Sequence, residues 1–117
     1  MEFNNTTIGP GLEVNGQEMR YRDAFNNTLR SELEYDKNVL IIGEDISGGF
    51  DKETKEPLDA WGGPFAATKG LVQDFGVERI MDAPISEAGF VGAAIGAALT
   101  GLRPVVDLMY FDFTTVA

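Results

Sequence analysis

The chain has 117 residues, enough for one modest core and too few for two full domains. Nineteen acidic against nine basic residues give a formal charge of −10, which disfavours nucleic acid and anionic membrane surfaces as partners. Cysteine and histidine are both absent, so disulfides, thiolate or imidazole metal sites, cysteine nucleophiles and Ser-His-Asp chemistry cannot come from this chain alone.

Residues 1–19 carry Asn4, Asn5, Thr6, Thr7, Gly9, Pro10, Gly11 and Gly16 without a basic start or a long apolar run. This reads as a flexible N-terminal arm, with no signal or transit peptide indicated. Tyr21, Phe25, Leu29 and Leu33 then recur every four residues, predicting an amphipathic helix over 21–35. Asp36-Lys37-Asn38 breaks it, and Val39-Leu40-Ile41-Ile42 ending at Gly43 predicts a strand buried on both faces of a parallel sheet. Glu44 and Asp45 fall at its carboxyl end, where open α/β sheets place their ligands. For Asp45 a solvated loop carboxylate is the better reading.

From Ile46 to Pro64 the sequence is glycine-rich, charged and without period, which predicts a long loop. Its spacing of Asp45, Ser47, Gly49, Asp51, Glu53 and Glu56 imitates a calcium loop, but Phe50 stands where such a loop requires glycine. A short helix is predicted over 68–75 with Gly76 as its stop, and a second strand over 78–81. A turn through Pro84 leads to a helix opening at Ser86, a candidate N-cap, with Glu87 in its first turn. Gly89, Gly92 and Gly96 interrupt that helix at about 0.5–1 kcal/mol each, and the four-residue spacing of the last two predicts a bulk-free face for close helix contact. Gly101 stops the helix, Pro104–Met109 forms a third strand, and a further helix is expected from about Phe111. The alternation of helix and strand predicts an α/β fold, a parallel sheet flanked by helices.

Several stretches together carry a family resemblance: Tyr21-Arg22-Asp23-Ala24, Gly43-Glu44-Asp45, Thr68-Lys69-Gly70-Leu71, Pro84-Ile85-Ser86-Glu87-Ala88-Gly89-Phe90, Gly101-Leu102-Arg103-Pro104 and Asp112-Phe113. In order and spacing the chain resembles the beta subunit of thiamine-diphosphate-dependent 2-oxo acid dehydrogenases of the pyruvate, branched-chain or acetoin type. The resemblance implies that residues 20–117 are the N-terminal part of a transketolase-like pyrimidine-binding domain, truncated at its carboxyl end. Trp61-Gly62-Gly63-Pro64-Phe65 and Met109-Tyr110-Phe111-Asp112-Phe113 lean toward the acetoin-cleaving branch.

What the resemblance implies about chemistry centres on Glu87. In the family the matching glutamate hydrogen-bonds a ring nitrogen of the aminopyrimidine and promotes loss of the thiazolium proton, giving the ylide that attacks a 2-oxo carbon. A dry pocket favours the neutral carboxyl and a helix N-terminus the charged one, whereas a glutamate that merely caps its helix contributes about 0.3–1 kcal/mol. Phe113 matches an aromatic packed on the aminopyrimidine, Met109 an adjoining apolar wall and Glu44 a carboxylate near the same pocket. By position alone, Met109 and Phe113 also suit an ordinary core. The cofactor implied is thiamine diphosphate, with Mg2+ held by a partner alpha subunit, because the Gly-Asp-Gly signature is missing here and no metal ligands are assigned to this chain. Implied partners are that alpha subunit, a second beta subunit and the acyltransferase core of a cytoplasmic complex, the isolated chain being inactive. Two alternatives are a transketolase-type pyrimidine domain and a non-catalytic assembly fragment using only the glycine face.

Overall fold

The computed structural model describes residues 19–48 and 61–117. The N-terminal arm and most of the long loop, including Asp51, Glu53 and Glu56, therefore lie outside the described residues. In chain order the elements are α1 (Tyr21–Tyr35), β1 (Val39–Gly43), α2 (Leu71–Phe75), β2 (Ile80–Asp82), α3 (Glu87–Leu99) and β3 (Arg103–Asp107), followed by a 3-10 helix over Phe111–Thr115. All strand pairing is parallel and the order is β2-β1-β3, with β1 in the middle. Register brings the three carboxyl ends level, Gly43 lying opposite both Asp82 and Asp107.

Period decides which side each element covers. Val39 and Ile41 point to one face of β1 and join Leu29 and Leu33 of α1, Leu71 and Val72 of α2, Ile80 of β2 and Ile46 in a single core. Ile41, Ile46, Leu71 and Ile80 are wholly inaccessible, and each such side chain contributes about 1.5–3 kcal/mol of burial. Helix α3 packs on β3 and β1 but contributes nothing to that core, so it covers the opposite face, as right-handed crossovers in both directions from the sheet require. Only Phe90 and Ala94 of α3 are buried, and Leu40 and Ile42 beneath it are half-buried. The expected burial of β1 on both faces is thus met on the α1/α2 side and only partly on the α3 side.

Strand β2 covers Ile80–Asp82 rather than the expected 78–81, and local chemistry trims two further elements. Helix α2 starts at Leu71 and not at Thr68 because Gly70 sits at φ 81, a left-handed conformation that a continuing helix cannot include. Strand β3 stops at Asp107, since Met109 adopts φ 60 and turns the chain out of the sheet. Helix α1 keeps its predicted bounds, and its C-terminal half is buried through Leu29 and Leu33 while Tyr21 remains exposed.

Arg79 joins the layers. Its guanidinium donates to the carbonyls of Leu33 (2.8 Å), Asp36 (2.8 Å) and Val39 (2.7 and 2.8 Å), so one side chain ties the end of α1 to the start of β1. It also lies over the ring of Phe75, 5.6 Å from the centroid. The carbonyls of Leu33 and Asp36 belong to a helix end that has no intrahelical donors left for them. Replacing Arg79 by Met keeps the stem and removes every donor, and should destabilise the chain by about 2–4 kcal/mol in chemical denaturation, with Arg79→Lys recovering only part. A loss within about 0.5 kcal/mol, ordinary for a surface change, would show that the clamp is dispensable.

Candidate functional site

The carboxyl edge of the sheet gathers the residues singled out from the sequence. Glu44 directly follows β1 and is half-buried, while Asp45 beside it is exposed at φ 54, as a solvated loop carboxylate should be. Glu87 opens α3 beyond the end of β2 and is half-buried. Met109 and Phe113, both half-buried, follow β3. Four residues scattered over seventy positions therefore all follow strand ends that the parallel register aligns at one edge.

Ser86 occupies the N-cap position of α3 but, at φ −165 and ψ 73, makes no side-chain capping bond. Its carbonyl accepts from the amides of Gly89 and Phe90, both at 3.0 Å. A Cβ on Gly89 would lie 2.6 Å from Ser86 Oγ, so the glycine leaves room for the serine that starts the helix bearing Glu87. Gly92 and Gly96 have nothing within 4 Å of an added Cβ. The close contact expected on that face is therefore not made among the described residues.

Sequence reasoning missed the braces of the edge. Ser47, only 2% exposed, donates its backbone N–H (2.8 Å) and its hydroxyl to the carboxylate of Asp82. Thr68, equally buried, donates from Oγ1 to the carbonyl of Ile46 at 2.9 Å. The Glu44–Gly48 turn is thereby held from β2 on one side and from the 62–70 segment on the other. Loop serines and threonines carry no periodic signal, so only the fold reveals them. Across the edge, the ring of Phe65 meets Tyr110 at 5.1 Å and Tyr110 meets Phe113 at 5.9 Å, both edge-on.

No described ion pair involves Glu44, Glu87, Asp82 or Asp107. On α1 the Asp23 carboxyl is held below its ordinary value by the Arg20 guanidinium 2.8 Å away, with Arg22 assisting. A groove of about 350 Å³ runs between Phe25 and Leu29 of α1 and the segment after β3; Met109 lines it, whereas Glu44, Glu87 and Phe113 do not. Among the described residues no cluster of His, Cys, Asp or Glu could hold a metal ion, and no helix is long and apolar enough to cross a membrane.

Glu44, Glu87, Met109 and Phe113 thus place two carboxyl groups, a thioether and an aromatic ring in the segments that follow the three strands. Residues 17–117 match the family described as the transketolase pyrimidine-binding domain, and the chain belongs to that family. It is 52% identical over 91 residues to the beta subunit of acetoin:2,6-dichlorophenolindophenol oxidoreductase of Bacillus subtilis (strain 168), covering 78% of this chain and 27% of that one. The subunit of the same name from Cupriavidus necator is 45% identical over 93 residues, 80% of this chain and 27% of its own. The mitochondrial pyruvate dehydrogenase E1 component subunit beta of Pisum sativum is 36% identical over 118 residues, 97% of this chain and 30% of its own. The chain thus spans less than a third of the length of the curated relatives it matches.

The brace between Ser47 and Asp82 can be tested without any ligand. Asp82→Ala leaves two donors of a buried serine unpaired and should cost about 1–3 kcal/mol in chemical denaturation. Adding Ser47→Ala to that variant should cost little more, because the hydroxyl has already lost its partner. Fully additive losses would mean that the two side chains act independently.

Proposed function

We propose that this chain contributes the aminopyrimidine half of a thiamine-diphosphate site in a heteromeric dehydrogenase acting on acetoin or a 2-oxo acid, in which Glu87 is the catalytic carboxylate. The observation that carries the reading is the position of Glu87: half-buried, in the first turn of α3, at the carboxyl edge of a pyrimidine-binding domain. The greater identity to the acetoin relatives than to the pyruvate dehydrogenase subunit supports an acetoin-class substrate.

Bound there, the cofactor supplies an acidic thiazolium carbon at which a carbonyl substrate can be cleaved. This chain's part is to hold and move protons on the pyrimidine ring. Glu87 donates a hydrogen bond from its carboxyl to a ring nitrogen, which shifts basicity to the exocyclic amine. Glu44, half-buried at the end of β1, supports the hydrogen-bond network around it, and Met109 and Phe113 wall the ring. Diphosphate and Mg2+ fall to an alpha subunit, and the open face of α3 at Gly92 and Gly96 takes a second subunit in close contact. The cytoplasm suits such a complex.

Glu87→Gln preserves shape and a hydrogen bond but cannot lend an acidic proton. In the full subunit reconstituted with its partner, turnover at saturating cofactor should fall by about 10²–10⁴-fold, and exchange of the thiazolium proton for deuterium should slow in parallel, with assembly intact. Parent-like rates would reduce Glu87 to a helix-start residue.

The glycine face yields a test with opposite signs. In the chain alone, Gly92→Leu or Gly96→Leu meets none of the described residues, so the helix should gain about 0.5–1 kcal/mol of propensity and melting should hold or rise. In the assembled protein the same bulk should weaken association by about 1–3 kcal/mol. Unchanged oligomer mass and dissociation midpoint in both variants would remove this face from the interface.

A further inference from the structure

We propose that Tyr110 is a positioning residue for Phe113, the middle ring of a Phe65–Tyr110–Phe113 ladder that fixes one wall of the pyrimidine site from outside it. The proposal rests on the reading of Phe113 as the ring that faces the cofactor. Phe113 belongs to a 3-10 helix of five residues, Phe111–Thr115, that has no side-chain cap at its start. Helices of this type have poor hydrogen-bond geometry and little rigidity of their own, so contacts from outside decide where their side chains stand. Among the described aromatic pairs, Phe113 has one, with Tyr110 at 5.9 Å and an interplanar angle of 88°. Edge-on packing of that kind engages at most one face of the Phe113 ring and leaves the other for a flat ligand.

Both ends of Tyr110 are themselves held. At the backbone, Asp107 Oδ1 accepts from the amide of Met109 at 2.8 Å and steadies its φ of 60, and the amide of Tyr110 donates to the carbonyl of Leu108 at 2.7 Å. At the ring, Phe65 meets Tyr110 at 5.1 Å and 65°. Phe65 is a firm anchor because its turn is pinned three ways. Asn26 Nδ2 on α1 donates to the carbonyls of Ala67 (2.8 Å) and Lys69 (3.1 Å), and Thr68 donates to Ile46. Gly62 passes so close to Lys69 that a Cβ there would lie 2.0 Å from its amide nitrogen. Position is thus relayed from α1 and the 62–70 turn, through two ring contacts, to Phe113. Tyr110 and Phe65 are each about half exposed, 49% and 47%, far more than core packing alone would leave two aromatics.

The experiment uses the full-length subunit in its reconstituted complex and reads the dissociation constant of thiamine diphosphate by titration calorimetry, with melting temperature and oligomer mass alongside. Loss of an aromatic pair corresponds to about a two- to tenfold change in an equilibrium constant, so Tyr110→Ala should weaken cofactor binding by that factor at unchanged oligomer mass. Tyr110→Phe keeps the ring and should restore affinity to within about twofold of the parent. Tyr110→Ala combined with Phe113→Ala should bind no more weakly than Phe113→Ala alone, and Phe65→Leu should mimic Tyr110→Ala, which tests the ladder even where the alanine variant assembles poorly. Additive effects of Tyr110→Ala and Phe113→Ala, or parent affinity in Tyr110→Ala, would overturn the ladder while leaving Phe113 in the site. Parent affinity in Phe113→Ala would instead remove Phe113 from the site, and the proposal with it.

Discussion

The corner at Gly43 is the constraint on which the edge depends. A Cβ there would lie 2.9 Å from both Cβ and the carbonyl oxygen of Asp107, closer than real side chains come, and a tight 3.1 Å from Cγ2 of Ile46. Absence of a side chain lets β3 run up against the end of β1 while Ile46, wholly buried, folds back over the junction. Everything at the edge hangs from this junction. Glu44 leaves it directly, Ser47 and Ile46 are tied from it to Asp82 and Thr68, and Asp107 turns the chain toward Phe113 through the amide of Met109. A bulkier residue would wedge β1 from β3 and shift all of these together.

Helix α3 presents two different sides. Its buried stripe, Phe90 and Ala94, seats it on the sheet; Gly92 and Gly96 face away with Ile95 and Leu99 exposed beside them. An ordinary surface helix would be polar there, whereas this one is apolar all round, the pattern of a helix meant to be covered on every side. Thirteen residues give a rod of roughly 20 Å with Glu87 at one end. Whatever covers the glycine face would therefore bear on the helix that sets the position of the carboxylate.

The sequence was most legible where period and punctuation agreed. Helix α1 and strand β1 stand where four-residue recurrence and a β-branched run between turn residues placed them, and Gly76 and Gly101 stop their helices at φ 78 and φ 101. The ends of α2 and β3 were not legible, because they depend on Gly70 and Met109 taking left-handed conformations that the surrounding turns impose. Glu44, Glu87, Met109 and Phe113 were named from motif order, and parallel register explains why such distant positions reach one edge. The pairings of Asp82, Ser47, Thr68, Phe65 and Tyr110 escaped notice because they join positions 3 to 45 residues apart in the chain.

The electrostatics of the edge argue for a divided site. Asp45, Asp82 and Asp107 stand near the strand ends with Glu44 and Glu87, and no described ion pair neutralises any of them. A diphosphate is held by cations, by metal, or by amides at a helix start free of competing carboxylates. Here the helix start that could serve, that of α3, already carries Glu87 in its first turn, and its dipole is spent on that side chain. A negative edge repels phosphate and favours a heterocycle that gains a proton or lends N–H groups. On the proposed reading the cofactor would lie with its pyrimidine toward this chain and its diphosphate toward a surface of opposite character, an orientation that the charge of the edge favours.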